Sequence, residues 1–293
     1  MVQAVIMGNQ LRLMLQKPTP QESILRNGDW RHRIINQRGQ KSYGTGYGID
    51  MWWGYGTGNI ALEDDGIVIK NTGDTQFQIE QFFEDQDAFD GNTYTLAVLV
   101  NGKIYTLTAT IDLSLSLFDI HIYPFTHFGM LFYKGQSNKF FVCLQCRDGI
   151  SVKASAVKLE PGKRFTGWPA WDYGAELRKC QRYFYKTVLS SNVFFQMNGI
   201  AYKSNELDSI LFLPVTMRED GKPVIQYSAG EKLAAWSPKN DSWGSTTHNI
   251  TDIILEQFSG NQALLSIATT GLDIGENYFW QTKGGYISFS RDL

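Results

Sequence analysis

The stretch "AVKLEPGKRFTGWPAWDYGAELRKCQRYFY", residues 156–185, decides how this chain is divided. Its first residues alternate apolar and polar side chains like a strand, and Pro161-Gly162 ends that run in a turn. Phe165, Trp168 and Trp171 follow as apolar anchors. Asp172 then stands where a helix N-cap would be, with Ala175-Glu176 opening the first full turn. Leu177, Cys180 and Phe184 fall at i, i+3 and i+7 and would share one helix face. The spacing predicts a linker helix within residues 169–186, with a β pattern on both sides of it.

Upstream, "GIVIKN", "QFQIEQFF", "TYTLAVLV", "KIYTLTATI" and "FFVCLQC" are strand-length runs rich in β-branched and aromatic residues. "DDG", "DGN" and "NGK" punctuate them, and "VNGKIY" is the clearest hairpin. Downstream, "SILFLPVTM", "PVIQYSAG", "NITDIILEQF", "ALLSIAT" and "GYISFSRDL" return to strands. At the start, Ala4, Met7, Leu11 and Met14 make one apolar seam on a short helix that "KPTPQES" ends. Two heptads do not sustain an isolated coiled coil. The seam would pack against copies of itself or dock on its own domain. The expected organisation is a helix and linker over 1–23, a β-sandwich over 24–168, the linker helix over 169–186 and a C-terminal β domain over 187–293. The fold class is mainly β: two β-sandwich or jelly-roll-like domains joined by a short α-helix, with a short N-terminal helix.

Composition agrees with that class. A chain of 293 residues is comfortable for two domains. The aromatic content of 14%, with 8 Trp and 14 Tyr, fits β-sandwiches that use exposed rings for binding. A net charge of −2 leaves no broad electrostatic footprint for nucleic acid. No apolar run is long enough for a transmembrane helix, so no membrane insertion is expected. The first residues lack the basic flank, uninterrupted apolar core and cleavage site of a signal peptide. Cys143 and Cys146 form a C-x-x-C without the second ligand pair that zinc needs. On a strand they point to opposite faces. They read as buried reduced thiols from a reducing cytoplasm.

Three motif blocks occur in order. The first, "NGDWRHRIINQRGQKSYGTGYGIDMWW" at 27–53, carries Asn36-Gln37-Arg38-Gly39 and Ile49-Asp50-Met51-Trp52. The second is "KLEPG…DYGAELRKCQRYF", and the third is "LPVTMREDGKPVI" with the terminal "GYISFSRDL". Together, over nearly the whole chain, they resemble tail proteins of phages and prophages of Gram-positive and gut bacteria. The family pattern has Arg where Met51 stands, and "YGEEL" where this chain has "DYGAEL". The resemblance implies a virion tail fibre or receptor-binding protein, made in the bacterial host cytoplasm. It implies a homotrimer that joins other tail proteins and attaches to a bacterial surface glycan. It also implies a jelly-roll domain like a carbohydrate-binding module at the front.

Catalytic signatures are missing: there is no G-x-S-x-G and no H-E-x-x-H, and "GTGYG" lacks the context of a dinucleotide loop. The expectation is a non-enzymatic protein, with a tail-associated glycan-degrading enzyme or a purely structural tail part as the rivals. The acidic run Glu84, Asp85, Asp87 and Asp90 offers clustered oxygens that suit calcium, without an EF-hand pattern. Asp29 is the other calcium candidate, because jelly-roll carbohydrate modules often hold that ion near their first strand. For glycan, rings stack on the apolar faces of sugars while polar side chains fix hydroxyls. Tyr43, Tyr47, Trp52, Trp53 and Tyr55 sit among glycines, and on a strand only one of Trp52 and Trp53 is core. Trp236 and Trp243 form a second aromatic candidate in the distal domain. The alternative for both groups is burial in a core or a subunit interface.

Overall fold

The computed structural model describes residues 19–115, 118–134, 139–188, 191–218, 222–228, 230–237, 247–283 and 285–291. The predicted N-terminal helix with its seam, and Trp243, lie outside them. The chain is mainly β, with one α-helix among the described residues, and it folds as two compact units.

The first unit takes residues 19–34, 40–48 and 52–173. Its strands are β1 (Ser42–Tyr43), β2 (Gly46–Tyr47), β3 (Trp53–Gly56), β4 (Gly58–Glu63), β5 (Gly66–Asn71) and β6 (Phe77–Phe82). They continue as β7 (Thr93–Val100), β8 (Lys103–Thr110), β9 (Phe118–Phe125), β10 (Phe128–Lys134), β11 (Phe140–Cys146) and β12 (Ser151–Pro161). One six-stranded sheet runs β1-β4-β5-β12-β7-β8 and the other β2-β3-β6-β11-β10-β9, with every pair antiparallel. This is the β-sandwich that the strand runs predict, of the jelly-roll-like kind that the resemblance implies.

Alternation builds it. Ile60, Ile67, Ile69, Leu96 and Val98 of the first sheet, with Phe77, Ile79, Val142 and Leu144 of the second, are fully buried. The β7–β8 hairpin turns at Asn101 and Gly102, both at positive φ (48° and 76°), which the right-handed twist of a two-residue hairpin requires. Under the sandwich, Trp30 and Trp52 meet edge-to-face at 5.2 Å. Both indole N–H groups donate to the Asn27 carbonyl, at 2.7 and 3.0 Å. The "KLEPG" strand carries a buried ion pair whose two members also hydrogen-bond to the loop after it. Lys158 Nζ lies 2.8 Å from Glu160 Oε2 and donates to the Gly167 carbonyl at 2.7 Å. Thr166 donates its backbone N–H to the other Glu160 oxygen.

The second unit takes residues 35–39, 49–51 and the described residues from 174 onward. The helix at the junction is α1 (Tyr173–Gln181). The strands are β13 (Phe184–Val188), β14 (Ser191–Lys203), β15 (Glu206–Phe212), β16 (Val224–Tyr227) and β17 (Gly230–Trp236). They continue as β18 (Thr247–Ile250), β19 (Asp252–Ser259), β20 (Gln262–Ala268), β21 (Asn277–Lys283) and β22 (Tyr286–Ser290). A three-stranded sheet β13-β22-β16 faces a seven-stranded sheet β18-β17-β21-β14-β15-β20-β19. Their shared core holds Leu207, Leu211, Leu265 and Ile267 from the large sheet and Ile287 and Phe289 from the small one.

Two details differ from the sequence-based division. The predicted helix face stops short: α1 ends at Gln181, and Phe184 opens β13 opposite Ser290. Tyr183-Phe184-Tyr185 and Thr187-Val188 are aromatic and β-branched residues that fit a pleated surface better than a helix. Cys180 is buried as the i+3 spacing predicts, while Leu177 is half-buried. The second difference concerns 35–39 and 49–51, which the sequence assigns to the first sandwich. In the structure they belong to the second unit. Gln37 donates to Asp50 at 2.6 Å and to the Phe184 carbonyl at 2.7 Å. The Arg38 guanidinium lies 3.5 Å from Asp50 and over the Phe184 ring at 3.9 Å. These side-chain contacts, distant in sequence, explain the "NQRG" and "ID" stretches better than any local role does.

Candidate functional site

The outer face of the sheet β2-β3-β6-β11-β10-β9 carries a depression of about 480 Å³. Period-two alternation puts polar groups there. In β6 and the residue before it, Phe77 and Ile79 turn inward, so Gln76, Gln78 and Glu80 turn outward. In β11, Val142 and Leu144 turn inward while Phe141, Cys143 and Gln145 turn outward. Strand β9 adds Asp119, His121 and Tyr123, and β10 adds Leu131 and Tyr133. Register aligns these in rows: Glu80 opposes Cys143, which opposes Leu131, which opposes His121.

The floor is a connected polar network. Gln78 donates to Glu80 at 2.9 Å. Gln145 donates to Gln76 at 2.7 Å and to Gln78 at 3.2 Å. Arg147 Nε donates to Gln145 at 2.8 Å, and its guanidinium lies 5.2 Å from the centre of the Tyr123 ring. His121 Nδ1 sits 3.0 Å from Asp119, and its ring meets Tyr123 edge-on at 5.1 Å. Gly129 gives that tyrosine its place, since a Cβ there would stand 2.9 Å from a Tyr123 ring carbon. Gln78, Glu80 and Gln145 are each at least nine-tenths buried, so their polar atoms are costly without such partners.

Burial sets the titration here. Desolvation pushes the Glu80 carboxyl from 4.5 up to about 7, against the opposing effects of the Gln78 hydrogen bond and the Lys139 charge. Burial, and next the Glu80 charge, push the Cys143 thiol well above its usual value. Burial alone raises Cys146 to about 12. Neither thiol supplies a thiolate at neutral pH, so both are packing groups, as the strand reading has them.

A second depression of about 900 Å³ adjoins the first. The two share Tyr55, Gln76 and Arg147, and the second adds Thr45, Asp74, Thr75 and Asp148. Asp148 pairs with His127.

The structure divides the predicted aromatic group. Tyr55 is 55% exposed and lines both depressions. Trp53 opposes Glu80 in register, and Tyr47 opposes Trp53 with ring centres 4.9 Å apart edge-to-face. All three therefore share the outer face. Trp52 and Tyr43 do not, and are corrected to core residues. Trp52 is fully buried against Trp30, and the buried Tyr43 hydroxyl accepts the Gln40 N–H. Met51, just before Trp52, has a positive φ of 74°. In the second unit, Trp236 is also buried, near Phe279, which removes it as a sugar platform.

The acidic candidates are scattered. Asp29 is held by the Arg31 guanidinium in a two-pronged pair at 2.6 and 2.8 Å. Asp87 lies on a 3-10 turn, Asp90 accepts the Leu113 N–H at 2.7 Å, and Glu84 and Asp85 are exposed. Among the described residues, no three His, Cys, Asp or Glu are grouped to hold a metal ion. The calcium expectation finds no assembled ligand set at these positions.

Sequence reasoning missed the floor residues Gln76, Gln78, Glu80 and Gln145 and the wall residues His121, Tyr123 and Arg147. The signal was present as polar residues at every second position in "QFQIE" and "CLQCR". No protein-family model matches the chain, and the search of curated proteins found no match to it.

Proposed function

We propose that this chain is a non-catalytic glycan-binding component of a phage or prophage tail, and that the outer face of the first sandwich is its binding site. The observation that carries the reading is the hydrogen-bonded network of buried Gln78, Glu80 and Gln145 with half-buried Gln76, lining the same depression as exposed Tyr55 and Tyr123. Amides supply both donors and acceptors, which is what sugar hydroxyls require, and rings at the rim offer stacking surfaces. The tail context rests on the three motif blocks.

A hydrolytic role would draw on Glu80, whose raised pKa suits a general acid. Its carboxylate companion in the depression is Asp119, whose backbone lies three interstrand steps away, about 14 Å at 4.8 Å per step. Release of reducing ends from a bound glycan would mark that role. An assembly role is supported separately by the second unit: Ile200, Tyr202, Ile210 and Phe212 are exposed on the large sheet's face away from its core. Exposed large apolar side chains grouped on neighbouring strands fit contact with a partner.

The test is a glycan array with the full chain. Wild type should bind a polysaccharide or oligosaccharide, while Tyr55→Ala should lose at least tenfold in affinity with an unchanged melting temperature. Undiminished binding by Tyr55→Ala, or release of reducing ends from the bound glycan, would overturn the reading.

A further inference from the structure

We propose that the groove takes an internal stretch of an uncharged polysaccharide, laid across two adjoining subsites, and not a single terminal sugar or an acidic polymer. This rests on the carbohydrate reading above and specifies its ligand.

Continuity is the first argument. The two depressions share the Tyr55 ring, the Gln76 amide and the Arg147 guanidinium as a common wall. From β9, which carries Tyr123, to β3, which carries Tyr55, the face spans four interstrand steps, about 19 Å. That is longer than one sugar ring, and the second depression extends it past Gly56 to Thr45 and Asp74. Both rings are open to solvent, Tyr55 at 55% and Tyr123 at 40%, so a sugar can stack within the first depression and again where the two depressions meet.

Charge is the second argument. Four carboxyl groups face the combined groove: Glu80 and Asp119 in the first depression, Asp74 and Asp148 in the second. Against them stand Arg147, with Lys139 close enough to act on Glu80. Arg147 is already engaged by Gln145 and the Tyr123 ring, and Lys139 lies over Phe82. His121 and His127 are each paired to one of the aspartates. The partners of Arg147 and Lys139 are uncharged, so both cations keep their charge, but two cations against four carboxyl groups leave the groove with an excess of acid that disfavours a uronate or a phosphodiester. The amides and carboxylates instead present the acceptors and donors that neutral hydroxyls satisfy.

Calorimetric titration of the full chain tests both parts. The probes are cello-, xylo-, malto- and chito-oligosaccharides from two to six sugars long, with polygalacturonate and a glycerol-phosphate polymer as acidic counterparts. Within the neutral series that binds, affinity should rise at least tenfold from the disaccharide to the hexasaccharide. Asp74→Ala combined with Thr75→Ala should cancel most of that rise and leave disaccharide affinity and melting temperature unchanged. Gln145→Ala should weaken every length, with a melting curve to separate lost binding from lost fold. Equal affinity at all lengths would overturn the two-subsite proposal, and tighter binding of an acidic polymer would overturn the charge argument. Either result leaves the carbohydrate reading standing. Failure of wild type to bind any member would bring down both.

Discussion

Replacing Glu80 by Gln should make the first unit more stable at neutral pH, by an amount that the burial of this one carboxyl sets. Its pKa stands at about 7 against an ordinary 4.5. Between those values the unfolded chain has released the proton and the folded chain still holds it. Folding therefore binds a proton in this window, and stability falls as pH rises through it. At 1.36 kcal/mol per pH unit, the cost approaches about 3 kcal/mol once pH exceeds 7, and it is absent below 4.5. Gln keeps the shape and a carbonyl oxygen for the Gln78 amide, without a charge to desolvate. For a unit of this size, about 3 kcal/mol is roughly 6–12 °C in melting temperature. Thermal unfolding of wild type and Glu80→Gln, followed by circular dichroism from pH 4 to 8, reads the difference directly. Subtracting the two curves cancels the other titrating groups. The expected difference is near zero at pH 4 and grows to its full size by pH 8. Parallel curves across that range, or a variant less stable at pH 8, would show that Glu80 is solvated and that the network is not a buried floor.

Trp52→Ala should destabilise the first unit by about 3–5 kcal/mol, because it removes a fully buried indole packed on Trp30; a denaturant titration unchanged from wild type would put Trp52 back on the surface. Lys158→Met alone should cost about 3–5 kcal/mol by stranding a buried Glu160, and adding Glu160→Leu should recover much of the loss. A double variant no better than the single one would show that the loop contacts of Thr166 and Gly167, not the charge, matter most. Phe184→Ala should remove the ring under Arg38 and destabilise the second unit by about 3–5 kcal/mol. Hydrogen exchange would check it, through lost amide protection in β13 and β22.

Period-two alternation is a local property, so it was readable from residues alone. "GIVIKN", "TYTLAVLV" and "FFVCLQC" are β5, β7 and β11 in the structure, and "VNGKIY" turns where Asn-Gly requires it. The C-x-x-C on opposite faces of a strand, and the helix between two sets of strands, were legible for the same reason. Which outward face becomes a site is not local. Gln76, Gln78 and Glu80 looked like the solvent side of an ordinary strand. Only the pairing of β6 with β11, and of β11 with β10, brings Gln145 against them, joins the four in a network and buries Gln78 and Glu80. Trp52 and Trp53 are alike by composition, and alternation puts them on opposite sides, but only the packing against Trp30 shows that Trp52 is the one in the core. Phe184 carried a helical spacing that lost to strand pairing with β22. Gln37 and Arg38, in a segment that reads as part of the first sandwich, are claimed by contacts with Phe184, far along the chain. Sequence periodicity sets which side chains share a face of one element, whereas the partner of that face depends on chain closure over long separations, which only the tertiary structure decides.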